Sequence, residues 1–180
     1  LREIAQNSAF SHGVLHYYFS DKTDLILCSV RQYKARCVTR YDQVTAESGS
    51  YAELLERFCD RLAETLCTEA GMHRLWYDLR SQSLFEQAFR DDVAQIDASL
   101  EHMIWRVVSR LAELGGQPPR VPSDVAYAML DGLFQQALGR HLAGDGQAAA
   151  QLKAAVRLVV PQMAAEPAAS YQVGYAQHLR

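Results

Sequence analysis

The sequence lacks most of what a catalytic or membrane protein would need. No apolar run approaches the roughly 18 residues that a membrane span requires, and no basic start followed by an apolar stretch and a small-residue cleavage site marks a signal peptide. No segment alternates apolar and polar residues as a half-buried strand would. A Gly-rich phosphate loop, a Cys/His metal set, a nucleophile motif and a catalytically spaced carboxylate pair are all missing. No enzyme, metal or cofactor is therefore expected. The four cysteines, Cys28, Cys37, Cys59 and Cys67, all fall on segments that read as helical. Cys59 and Cys67 are eight apart on one helix, too far to bridge and wrongly spaced for zinc. Small buried thiols in a reducing cytoplasm are the simpler reading of the set, and disulfide pairing is the alternative.

What is present is ordinary globular material, with 49% hydrophobic and 22% charged residues in 180. The net charge of -3 is unevenly spread. Residues 1–40 hold six basic groups against three acids, and the remaining 140 hold twelve against eighteen. A basic head on an acidic body suits contact with phosphate at one end.

Apolar spacing of three and four recurs almost throughout, so the expected fold is all-α with about eight helices. Two short helices, from Leu1 to about Asn7 and from Ser11 to about Tyr17, flank a turn at Ser8–Phe10. A long helix follows from about Lys22 to Glu47, broken by Ser48-Gly49-Ser50. Further helices are expected over about Tyr51–Cys67, Met72–Ser81 and Leu84–Leu114. After Gly115-Gly116-Gln117-Pro118-Pro119, Ser123 is placed to cap a helix reaching Leu142. The last helix runs from Gln147 to Val160, where Pro161 should end or kink it.

Ile4, Ala5, Phe10, Leu15, Tyr18 and Phe19 have the spacing that packs two short helices across a tight turn. The second helix, His12-Gly13-Val14-Leu15-His16-Tyr17 behind a Ser11 cap, is short and polar on one side. Such a helix fits a DNA major groove. The whole string from Arg2 to Leu25, REIAQNSAFSHGVLHYYFSDKTDL, resembles the DNA-binding signature of the TetR family: Ile-Ala, a turn, Ser-x-Gly-x-Leu, an aromatic cluster ending Tyr-Phe, then Lys and an acid-Leu pair. Two positions depart from that pattern. Ala9 stands where the family usually has Gly, so either Ala9 takes a costly positive φ or Asn7 absorbs it. The cluster reads His16-Tyr17-Tyr18-Phe19 instead of Tyr-His-Tyr-Phe.

The resemblance implies a helix-turn-helix head over 1–40, a ligand-binding and dimerising helical domain over 41–165, and a tail over 166–180. The family's first helix is absent from the string, and the chain opens in mid-helix, so further N-terminal sequence is expected. His12, Gly13 and Val14 would face bases, and His16, Tyr17 and Lys22 phosphates, with Ser11 contributing its hydroxyl or amide. Phe10, Leu15, Tyr18 and Phe19 would be core. In the family the last two long helices pair with those of a second subunit. Here Tyr127, Leu130, Asp131, Gly132, Phe134, Leu138, Val156 and Val160 would form that interface. Met129–Phe134 also resembles, more narrowly, the dimer helix of choline/betaine-type repressors, without implying choline as ligand.

The middle helices carry a collection of aromatics and methionines that includes Phe85 and Trp105. Plain core explains any one of them, but together they are numerous enough to line an apolar cavity. The expected lining is Phe58, Leu62, Met72, Trp76, Tyr77, Phe89 and Met103, with Arg80, His102 and Arg106 as its polar groups. The function implied is a cytoplasmic homodimeric repressor, released from an inverted-repeat DNA operator by a largely apolar small molecule. A helical small-molecule-binding or interaction protein with a non-functional head is the alternative.

Overall fold

A computed structural model of the chain describes residues 1–9 and 11–167. Phe10 and positions 168–180, most of the expected tail, lie outside the described residues. Among the described residues there are eight α-helices and one 3-10 turn: α1 (Arg2–Gln6), α2 (His12–Tyr18), α3 (Lys22–Glu47), α4 (Tyr51–Thr68), α5 (Ala70–Gln82), the 3-10 turn (Gln87–Phe89), α6 (Arg90–Gly115), α7 (Ser123–Leu142) and α8 (Ala148–Met163). The fold is all-α. Among the described residues no helix is long and apolar enough to cross a membrane.

Local chemistry sets most of these boundaries. Asp21 caps α3 by accepting from the Asp24 N–H at 2.9 Å, and Asp24 in turn accepts from the Ser20 N–H at 3.1 Å. Ser50 caps α4 through the Glu53 N–H. Helix α6 ends where Gly116 enters the left-handed region at φ +71°, which lets the Gln117 N–H reach back to the Ala112 carbonyl at 3.1 Å.

Elsewhere the boundaries differ from expectation. Helix α6 begins at Arg90, six residues later than its apolar spacing suggested. Leu84 and Phe85 are 73% and 85% exposed, and the chain turns there through the Phe85 N–H to the Gln82 carbonyl. No Gly or Pro announces this break. Pro122, not Ser123, occupies the cap of α7, and the Ser123 hydroxyl donates to Glu101 Oε1 at 2.5 Å. Helix α8 runs past Pro161 to Met163, although the proline ring removes one donor and crowds the Arg157 carbonyl.

Helix α3 packs on α6, α6 on α7, α7 on α8 and α8 on α4, so the body closes around one core whose largest enclosed side chains are Trp76 and Phe58. Burying an aromatic such as Phe58 is worth about 2–3 kcal/mol. The α8–α4 contact is flanked by two ion pairs, Lys153 with Asp60 and Arg157 with Glu56. After α8 the chain crosses the end of α6, where the Tyr51 hydroxyl donates to the Ala164 carbonyl at 2.6 Å. Gly115 allows this crossing, since a Cβ there would stand 2.1 Å from the Ala165 carbonyl oxygen. The cysteines are all free thiols, Cys37 and Cys59 buried and Cys67 exposed.

In the head, Leu15 is buried and Ile4, Ala5 and Phe19 are half-buried. Tyr18 corrects the expectation: it is 69% exposed. Four residues from exposed Val14, it leans to the solvent side of α2, and its ring stands edge-on to that of Tyr17. Neither Ala9 nor Asn7 takes a positive φ. The turn closes instead through the Asn7 N–H to the Ile4 carbonyl and the Ser8 N–H to the Ala5 carbonyl, both 3.2 Å.

Candidate functional site

Two sites emerge, joined by one helix. At the head, Ser11 takes extended backbone and accepts from the Val14 N–H at 3.2 Å, so α2 starts at His12. His12, Gly13, Val14, His16 and Tyr17 are all exposed, Tyr17 by 82%. The His12 and His16 rings stack edge-to-face at 4.3 Å, and partial desolvation together with His16 lowers the His12 pKa. Lys22 is exposed at the first position of α3 and enters no ion pair among the described residues. The seven expected DNA-facing residues thus sit on one end of the molecule, open to solvent.

Within the body, α3 to α7 converge on a cavity of about 60 Å³. Helix α3 contributes Lys34, Cys37 and Tyr41, which the three- and four-residue spacing puts on one face; α4 contributes Leu62 and α5 His73 and Tyr77. Leu100, Met103 and Ile104 come from α6, and Tyr127, Leu130, Asp131 and Phe134 from α7. Of the expected lining, Leu62, Tyr77 and Met103 meet here. Phe58, Trp76 and Phe89 are instead buried in the surrounding core, Phe58 edge-on to Tyr41, and Met72 is half-buried outside the wall.

The expected polar groups need correcting. His102 is exposed on the outer face of α6, and Arg106 is exposed in a two-pronged pair with Asp42, at 2.7 and 3.0 Å. His102 is turned off the Met103 face of α6, whereas Arg106, three residues on from Met103, has its guanidinium held at the solvent edge by Asp42. Arg80 lies outside the cavity wall, bridging Asp97 at 3.1 Å and Asp131 at 2.5 Å. Tyr77 donates to Asp131 Oδ1 at 2.8 Å and Tyr127 to Asp97 at 2.5 Å, completing a network between α5, α6 and α7.

Sequence reasoning missed three ionisable groups that line the cavity, Lys34, His73 and Asp131. Lys34 is 5% exposed and His73 7%. Lys34 Nζ lies 3.2 Å from His73 Nδ1 and above the rings of Trp76 and Tyr33, at 5.3 and 5.7 Å. Burial pulls the Lys34 pKa down to about 8. Burial, then the neighbouring Lys34 charge, pulls that of His73 down to about 3, so the ring is neutral. The spacing Val30, Lys34, Cys37, Tyr41 was the available signal, for it sets the lysine inside an apolar stripe.

Cys37, Glu69 and His73 stand close enough to be weighed as metal ligands. Their chemistry does not fit a cation. Arg40 grips both Glu69 oxygens, at 2.6 and 2.7 Å, and Tyr33 donates to the same carboxylate, so its pKa falls to about 2. Lys34 already occupies His73 Nδ1. Two protein cations fill the place of an ion.

The expected dimer face is corrected in the same way. Tyr127, Leu130, Phe134, Leu138, Val156 and Val160 are buried within the protomer, none more than 9% exposed, and so present no surface to a second copy. Asp131 is turned to Arg80 and Tyr77. Gly132 alone of that set opens outward, with nothing near its missing Cβ.

No family model matches the chain, and no curated protein does. Among solved structures, the chain is similar to the transcriptional regulator FadR from Bacillus subtilis, crystallised in complex with stearoyl-CoA. The two share 16% identity over 88% of this chain and 85% of that one, with a TM-score of 0.67. At that identity the likeness is one of fold.

Proposed function

We propose that the chain is a ligand-responsive transcription regulator of the TetR type, acting in the cytoplasm as a homodimeric repressor that a small molecule releases from an inverted-repeat operator. One observation carries this reading. Helix α3 runs unbroken from Lys22, beside the exposed recognition residues, to Lys34, Cys37 and Tyr41 in the cavity wall. The similar fold of a regulator that holds stearoyl-CoA supports it. His12, Gly13 and Val14 would then read base edges, and Lys22, His16 and Tyr17 hold phosphates.

Dimerisation uses the outer faces of α7 and α8. Gly132 and Gln136 on α7, with Gln151, Ala154 and Leu158 on α8, offer a surface on which Leu158 is 72% exposed and Arg140 donates to Gln151 at 2.6 Å. The charges of α8, Lys153 and Arg157, are engaged with α4 instead. Two-fold pairing there would present two recognition helices to successive major grooves, about 34–36 Å apart.

The test is selection of duplexes from a random pool, followed by mobility shifts across a salt series. Binding should weaken steeply with salt as counterions are released, and Lys22→Ala should lower the slope of log affinity against log salt by about one. A chain that stays monomeric at micromolar concentration and ignores every duplex in low salt overturns the proposal.

A further inference from the structure

The cavity wall is rich in hydrogen-bond donors and poor in free acceptors. An ammonium has three N–H donors and accepts nothing. One Lys34 N–H meets His73 Nδ1, and no ion pair among the described residues includes Lys34. Because Nδ1 accepts, the ring proton of His73 stands on Nε2, which is buried without a partner. Asp131, the one carboxylate in the wall, gives its oxygens to Tyr77 and Arg80. The remaining lining is mostly aliphatic and aromatic. Buried donors of this kind are costly unless a ligand supplies the acceptors.

We propose that the cavity binds a monocarboxylic acid, its carboxylate on the free N–H groups of the Lys34 ammonium and its apolar portion against Leu62, Leu100, Met103 and Ile104. This rests on the effector reading above and names the class of effector. One lysine suits a monoanion, whereas a phosphate dianion calls for several cations or an arginine fork. A cavity of about 60 Å³ holds the carboxylate and a carbon or two, so a longer acid must part the helices that wall it. Lys34 also borders an outer cleft between α3 and α6, walled by Arg31, Gln95 and Ser99.

The test is isothermal titration of the full chain with butyrate, octanoate and the uncharged octanamide, alongside Lys34→Met. At least one acid should bind, octanamide should bind at least tenfold more weakly than octanoate, and Lys34→Met should lose at least tenfold for the acid. Equal binding of octanoate and octanamide, an unchanged affinity in Lys34→Met, or no binding of either acid overturns the inference. Should Lys34→Met fail to melt cooperatively, the acid–amide comparison on the unaltered chain decides alone. Mobility shifts on the same protein separate the two ideas. Intact duplex binding with no acid binding sinks the acid and leaves the regulator, whereas acid binding without any duplex binding sinks the regulator and leaves the acid.

Discussion

Replacing Lys34 with methionine should make the protein more stable. A lysine whose pKa falls from 10.5 to about 8 on folding carries, at 1.36 kcal/mol per pH unit, a penalty of about 3 kcal/mol while it is charged. Methionine has a similar length and no charge to desolvate. Against this gain stand the contacts of the ammonium with Trp76 and His73, worth about 1 kcal/mol or somewhat more together. The net gain is about 1–2 kcal/mol, a rise in Tm of roughly 3–6 °C for a chain of this size. Thermal denaturation followed by circular dichroism at pH 7 measures it. The sign with pH is also fixed. Between about pH 8 and 10.5 the unfolded lysine still binds a proton that the folded one has released, so the native protein gains stability as pH rises through that window. The stability difference between Lys34→Met and the native chain should therefore shrink across it. A lower Tm for Lys34→Met at pH 7, or a difference that ignores pH, would refute the burial argument.

Three further outcomes are expected. In His73→Phe the onset of acid unfolding should move from near pH 6.5 to below about 4.5, read from urea midpoints in a pH series. The folded His73 pKa of about 3 lies below the unfolded 6.5, so its stability is lost as pH falls between them, and the losses from the arginine-paired carboxylates, Glu69 with its pKa of about 2 foremost, then remain below 4.5. Gly115→Ala should cost about 1–3 kcal/mol in urea melts with little change in slope, because the new Cβ meets the backbone carbonyl of Ala165, which no side-chain rotation relieves. Arg106→Ala removes an exposed pair with Asp42 and should change stability by less than about 1 kcal/mol, leaving octanoate titrations untouched; a tenfold loss of acid binding would return Arg106 to the site.

Much of the scaffold was legible because helix punctuation is local chemistry. Ser48-Gly49-Ser50 and Gly115-Gly116 stop helices by capping and by positive φ, and these can be read one residue at a time. The late start of α6 was not legible, since Leu84 and Phe85 keep a helical apolar spacing while standing in solvent. The cavity's polar floor was missed for a related reason. A lysine and a histidine read as surface residues by type, and only their position within apolar stripes of α3 and α5 betrays burial. Helix α7 is apolar on several sides, so its pattern could not say which side faces its own core. Tyr127, Leu130 and Phe134 were accordingly read as facing a partner when they face α5 and α6.

The continuity of α3 has a geometric consequence. Lys22 and Lys34 are twelve residues apart, about 18 Å along a rigid rod. Pivoting that rod by about 5° at the deeper lysine swings its outer end by roughly 1.6 Å, and a dyad doubles the swing between two copies to about 3 Å. Two reading heads that must register with grooves a fixed turn apart would feel so slight a pivot, and a molecule of few atoms would be enough to set it.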